Sequence, residues 1–174
     1  VQPLRPFTGV HDGLAYALWR PTDGEPPRAG VLVLHGAGSA KESHYDFARA
    51  AIALGFAALV FDQRGHGESE GRLDARALSD VVDMAGMLRR ELPPGAPLAV
   101  RGSSLGGYLA LRAASPARAQ AVVAISPASP DGLRRALDNP ELPWRIDAAA
   151  VASLLAQEPL AAVVAALDVP VLFM

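Results

Sequence analysis

The 174 residues are 51% hydrophobic, with proline and glycine scattered as punctuation, which suits one globular domain and argues against a disordered or low-complexity chain. A formal charge of −2, with 15 arginines and one lysine spread along the sequence, leaves no basic stripe, so nucleic acid and anionic membranes are not expected partners. The lack of cysteine removes disulfides, thiolate zinc sites and thiol catalysis.

Residues 1–6 have no apolar core of a secretory signal, and the longest nearly apolar run, residues 50–61, is too short to span a bilayer. A soluble cytoplasmic protein is the expectation. Residues 14–19 alternate loosely and end at Arg20-Pro21, a strand followed by a turn through Asp23-Gly24. Residues 31–34 form a continuous apolar run, the pattern of a strand buried on both faces, and lead into His35-Gly36-Ala37-Gly38. A helix over 45–54, closed by Gly55, precedes a second buried strand at 57–61. That strand opens into Asp62-Gln63-Arg64-Gly65-His66-Gly67-Glu68-Ser69.

From 75 to 92 the apolar residues Leu78, Val81, Val82, Ala85, Leu88 and Leu92 keep helical spacing, and Pro93-Pro94-Gly95 ends the helix. A short strand at 98–101 and a helix at 108–114 flank Gly102-Ser103-Ser104-Leu105-Gly106. Another buried strand covers 121–125. A helical region interrupted by Pro140, Pro143 and Pro159 follows from 131 to 167, and 169–174 begins a further apolar strand. Strands alternating with helices predict an α/β fold, a mostly parallel sheet with helices on both faces. The loops at 35–38, 62–69 and 102–106 then fall at carboxyl ends of strands and converge on one rim. No internal repeat is evident.

A G-x-S-x-G between a strand and a helix is a nucleophile elbow, in which a tight turn lifts the central serine, Ser104, above the sheet. Gly102 and Gly106 serve the turn, because a Cβ at either place would crowd the neighbouring strand or helix. Chance placement of such a match in this composition is about 0.08, so the motif is specific. Ser103 supports the turn. His35 is expected to bond the loop backbone in preference to acting as a base, and His66 to order its loop or line the pocket. His11 and His44 carry no pattern and read as surface residues. Asp62 and Arg64 read as charges bracing the glycine loop, ahead of a binding pair for an anionic substrate. Gly36-Ala37-Gly38 fails as a dinucleotide fingerprint because the third glycine position holds Lys41. No P-loop and no metal-ligand cluster occurs, so no cofactor is expected.

The glycine loop after the 31–34 strand, the D-x-R-G-x-G-x-S loop after the next, and the elbow at Ser104 together resemble the α/β-hydrolase superfamily. Within it they are similar to the serine aminopeptidase (S33-like) and lysophospholipase-like esterase group. The resemblance implies a serine hydrolase for a small ester or amide substrate, with Ser104 forming an acyl-enzyme. The oxyanion would be held by the backbone N–H groups of Leu105 and Ala37, with His35 and Gly36 supporting the loop and the start of the next helix adding its dipole. It also places a small helical cap over 131–167, where Leu142, Trp144 and Ile146 either select the acyl group or simply pack on the core.

The triad of that family runs Ser, acid, His in chain order. No histidine follows Ser104. The resemblance puts the acid after the strand that begins at Val169 and the histidine later still. Asp168 lies at the wrong end of that strand, and Asp131 reads as a local turn residue. The expectation is therefore a single α/β-hydrolase domain truncated before its last strands and inactive alone. The alternative is a non-catalytic binding or interaction domain. A third possibility, acyl transfer to an alcohol, is not separable by sequence, and neither acyl preference nor oligomeric state is legible.

Overall fold

The structure, a computed structural model, describes residues 5–21 and 24–174. Residues 1–4 and Asp23, on which the leader reading and the first expected turn partly rest, lie outside the described residues. Seven strands form one sheet: β1 Phe7–His11, β2 Leu14–Trp19, β3 Ala29–Leu34, β4 Phe56–Phe61, β5 Leu98–Ser103, β6 Ala121–Ile125 and β7 Val171–Phe173. They lie in the order β1-β2-β4-β3-β5-β6-β7. The β1–β2 and β2–β4 pairs are antiparallel, and every pair from β4 to β7 is parallel.

The helices are α1 Tyr45–Ala53, α2 Ala77–Arg89, α3 Leu105–Ala113, α4 Pro130–Leu137, α5 Ala148–Leu155 and α6 Leu160–Ala165, with a short 3-10 turn over Lys41–His44. The continuous apolar runs of β3 and β4 are buried on both faces, as a parallel strand between two helical layers must be. On one face Trp19, Val33 and Val60 pack against Ala48 and Ile52 of α1. On the other, Leu32, Leu34 and Phe61 pack against Met84 and Leu88 of α2 and Leu109 of α3. The mostly parallel sheet with helices on both faces is the architecture anticipated from the sequence.

Three details differ from the sequence expectation. β2 is buried at every residue, because it is paired on both edges and covered on both faces, so its alternation is masked. β1 was not anticipated, although Asp12-Gly13 is a strong hairpin signal. Both residues have positive φ, 49° and 75°, and His11 faces Leu14 directly, which defines a two-residue loop. The 75–92 helix is shorter, ending at Arg89, and its buried stripe includes a carboxylate, Asp80. No helix among the described residues is long and apolar enough to cross a membrane.

The register of the three central strands sets the site. Leu34 is level with Phe61 on one side and with Gly102 on the other. The loops that begin at His35, Asp62 and Ser104 therefore leave the sheet side by side.

Candidate active site

Ser104 follows the last residue of β5 with φ 50° and ψ −114°, a conformation that costs a non-glycine residue roughly 1–3 kcal/mol. The surroundings hold it there. Its N–H donates to the Ile125 carbonyl at 3.0 Å, and its carbonyl accepts from the N–H groups of Tyr108 and Ala128, each at 3.0 Å. The side chain stands exposed on the rim, and its hydroxyl forms no hydrogen bond among the described residues. A Cβ on Gly102 would fall on the Gly106 carbonyl, and one on Gly106 would fall on the carbonyls of Leu34 and His35. Only glycine lets β5, α3 and the end of β3 approach this closely.

α3 begins immediately after Ser104, so the Leu105 N–H has no acceptor within its helix and none elsewhere among the described residues. The glycine loop after β3 lies against the serine: a Cβ on Gly36 would stand 3.4 Å from the Ser104 Cβ. Ser39 N–H donates to the Gly36 carbonyl at 3.2 Å, which folds the loop into a turn and leaves the Ala37 N–H unbonded.

His35 is fully buried beneath this loop. Its Nε2 accepts from the Gln63 N–H at 3.0 Å, and its Nδ1 sits 2.7 Å from the Gly36 carbonyl, which assigns the proton to Nδ1. Burial pushes its pKa down to about 4, against a smaller upward pull from the Gly36 carbonyl. A neutral ring with both nitrogens engaged holds the loop and has no lone pair to offer Ser104.

His66 is also fully buried, edge-on to His35 at 5.0 Å between ring centroids and edge-on to Trp144 at 5.7 Å. Burial lowers its pKa, and it lies inside the loop instead of lining a pocket. His44 departs from its expected surface position. It is half-buried and accepts a hydrogen bond from Arg101 at 3.2 Å, while the Arg101 guanidinium lies 4.1 Å from the Phe47 ring centre. Strand alternation turns Arg101 toward α1, a tertiary contact that histidine spacing alone does not reveal. His11 stays at the sheet edge, 3.9 Å from Asp12.

Asp62 and Arg64 do not pair with each other. Asp62 is buried and accepts from the Lys41 N–H at 2.7 Å, from Lys41 Nζ at 2.9 Å and from the Glu68 N–H at 3.0 Å. Arg64 makes a two-pronged contact to Asp80 at 2.9 and 2.8 Å. Both carboxylates are thus occupied in holding loops to the sheet. Lys41 was not singled out from the sequence as a site residue, though it is the one lysine among 16 basic residues. It is 3% exposed and also donates to Glu68 at 2.5 Å, with Glu42 at 2.9 Å. Burial opposes its charge, but the three carboxylates outweigh burial and hold its pKa above the ordinary lysine value.

Asp131 sits exposed in the first turn of α4, paired with Arg134 at 2.7 Å, and Asp168 is exposed just before β7. Neither is hydrogen-bonded to the Ser104 region. Between α4 and α5 the chain returns to the rim. Leu142 and Pro143 stand where a Cβ on Gly38 would meet them at 3.1 and 3.0 Å. Arg145 N–H donates to Gly65 at 2.8 Å, Leu73 N–H to Arg145 at 2.8 Å, and Asp147 N–H to Leu73 at 2.9 Å, which sews this segment to the 65–73 loop. Trp144 and Ile146 are partly buried on the main core and help line a cleft of about 280 Å³ with Leu137, Pro140 and Leu142. A larger cleft of about 910 Å³, among Pro26, Ile52, Leu54 and Pro93, opens at the far end of the sheet, away from Ser104. Among the described residues no group of three His, Asp or Glu is placed to hold a metal ion.

The sequence profile of the serine aminopeptidase S33 family matches residues 25–170. The chain is 31% identical to human monoglyceride lipase over 116 residues, which is 63% of this chain and 37% of the lipase. It is 34% identical to the hydrolyase poxO of Penicillium oxalicum over 126 residues, 66% of this chain and 30% of that protein. The chain thus spans about a third of the length of the curated relatives it matches. Among solved structures, a lidless α/β serine hydrolase from Xanthomonas campestris superposes with a TM-score of 0.62 at 27% identity, covering 73% of this chain and 63% of that one. Est1E of Butyrivibrio proteoclasticus, at 20% identity, shares the fold over 96% of this chain and 77% of its own, with a TM-score of 0.76. The chain belongs to the serine aminopeptidase S33 family and carries the α/β-hydrolase fold.

Proposed function

We propose that Ser104 is the nucleophile of a serine hydrolase acting on carboxylic esters or amides, without a cofactor. The observation that carries this reading is the strained, exposed Ser104 at the start of α3, facing a glycine loop, with the Leu105 and Ala37 amides unbonded beside it. Attack of Oγ on the substrate carbonyl carbon forms a C–O bond and moves the carbonyl π electrons onto oxygen. The two amides stabilise that oxyanion, each worth about 3 kcal/mol in the transition state. Collapse expels the alcohol or amine with a proton and leaves the acyl group on Ser104, and water then releases the acid.

The hydroxyl proton needs a base, and the four histidines of this chain do not supply one. His35 and His66 are buried and held neutral by burial, His44 is engaged by Arg101, and His11 is on the edge strand. A base and its acid from outside these residues are therefore part of the proposal, and the chain alone is expected to turn over at near-background rates. The named monoglyceride lipase relatives favour esters with a fatty acyl group as the first substrates to try, with the segment between α4 and α5 serving as a cap over the acyl chain.

Added imidazole can stand in for the missing base. With imidazole present, the chain should cleave p-nitrophenyl esters faster than imidazole alone, and Ser104→Ala should abolish the excess. An equal excess in Ser104→Ala overturns the assignment. The same histidine inventory favours a second reading, a non-catalytic binding domain, and no excess over imidazole with the unaltered chain would favour it instead.

A further inference from the structure

The five-residue loop 36–40, which presents the Ala37 amide, hangs between His35 and Lys41. Both supports are held by consecutive residues at the carboxyl end of β4. At the near end, Gln63 donates its N–H to His35 Nε2 at 3.0 Å and its side-chain amide to the His35 carbonyl at 2.5 Å. At the far end, Asp62 accepts the Lys41 N–H on one oxygen at 2.7 Å and the Lys41 ammonium on the other at 2.9 Å. Gly36, Ala37 and Gly38 therefore have a fixed span to cross, and the turn closed by Ser39 N–H on the Gly36 carbonyl fixes how they cross it.

We infer that Lys41 is a positioning residue for the oxyanion loop: through Asp62 it anchors the far end of residues 36–40 and so sets the direction of the Ala37 amide. This rests on the reading of Ser104 and Ala37 given above. The chemistry of the position explains why the chain, which elsewhere uses arginine throughout, places its one lysine here. An ammonium has three hydrogens pointing in three directions, and here they meet three carboxylates, those of Asp62, Glu68 and Glu42. A planar guanidinium fork suits a single carboxylate, as Arg64 shows on Asp80, and cannot serve three diverging partners from a buried tip. Among the described residues Asp62 is paired with no other cation, so the lysine is what compensates that buried carboxylate and holds it against the loop.

The test is made on the 174-residue chain by ¹⁵N relaxation. Three variants are compared with the unaltered protein: Lys41→Met, Lys41→Met/Asp62→Asn, and the control Arg64→Met/Asp80→Asn. The control removes another largely buried ion pair from the same β4 loop without touching residues 36–41. If Lys41→Met fails to fold because Asp62 is stranded, the double variant carries the test. The backbone order parameters of Gly36, Ala37 and Gly38 should fall from about 0.85 to below about 0.6 in the Lys41 variants and stay high in the control. Imidazole-assisted fluorophosphonate labelling of Ser104 should slow at least about tenfold in the same variants, the loss typical of a displaced oxyanion donor. Order parameters that stay high in the double variant, or that fall equally in the control, overturn the inference. If the unaltered chain is not labelled at all, the nucleophile reading fails, while the relaxation result still decides whether Lys41 anchors the loop.

Discussion

Lowering the pH from about 7.5 to 4.5 puts a proton on His35 in the unfolded chain but not in the folded one. In the fold, burial holds this imidazole at about 4 against an ordinary 6.5. Between those values the unfolded state binds the extra proton, so stability is intact above about 6.5 and is lost as the pH falls toward 4. Integrating that difference gives a loss of about 2–3 kcal/mol at pH 4.5. For a chain of this size the loss corresponds to roughly 5–10 °C in Tm. His66 and His44 are also shifted downward by burial, so they add to the acid sensitivity of the native chain without changing its sign. The contribution of His35 is isolated with His35→Asn, whose carboxamide can take the Nδ1 place and donate to the Gly36 carbonyl but does not titrate. Urea unfolding of both proteins at pH 7.5 and 4.5 should show the unaltered chain losing about 2–3 kcal/mol more than the variant. Parallel pH profiles for the two proteins would refute the assignment of a buried, neutral His35.

Ser104→Gly should raise stability by about 1–2 kcal/mol, because it relieves the positive φ, while abolishing labelling at this position; an unchanged or lower midpoint in urea contradicts the strained elbow. Gly106→Ala should cost about 3 kcal/mol or more, since its Cβ would fall on backbone carbonyls of Leu34 and His35 that cannot swing aside, and a near-native Tm would show that the contact is looser than the structure has it. Arg64→Met should cost about 3–5 kcal/mol by stranding the Asp80 carboxylate inside α2, and Arg64→Met/Asp80→Met should recover most of that loss; a double variant as unstable as the single would contradict it.

The fold was legible because it rests on local pattern. The buried runs of β3 and β4 and the stripe of α2 follow from periodicity, and the three glycine motifs mark where the chain turns at the rim. The hairpin of β1 was legible too, in Asp12-Gly13, but the exposed Phe7 and Val10 obscure a strand that has only one paired edge. The site was legible where geometry demands glycine, as at Gly102 and Gly106. It was not legible where a charge changes role through burial. Asp80 looks like a solvent residue within the 75–92 pattern, yet it faces the core because Arg64, sixteen residues earlier, reaches it. Lys41 and Asp62 are twenty-one residues apart and meet only because β3 and β4 are in register. His44 acquires its partner from β5, fifty-seven residues away. Such pairings are properties of the sheet order, which composition and spacing do not encode.

The assignment of Ser104 as nucleophile comes down to the reactivity of one hydroxyl. The chain, incubated with a fluorophosphonate with and without imidazole, is cleaved with trypsin, and the peptide from Gly102 to Arg112 is sequenced by mass spectrometry. It contains Ser103 and Ser104 as its two serines. An adduct on Ser104 is expected, formed at least about tenfold faster with imidazole and near background without it. An adduct on Ser103, equal labelling without the added base, or no adduct under either condition would contradict it.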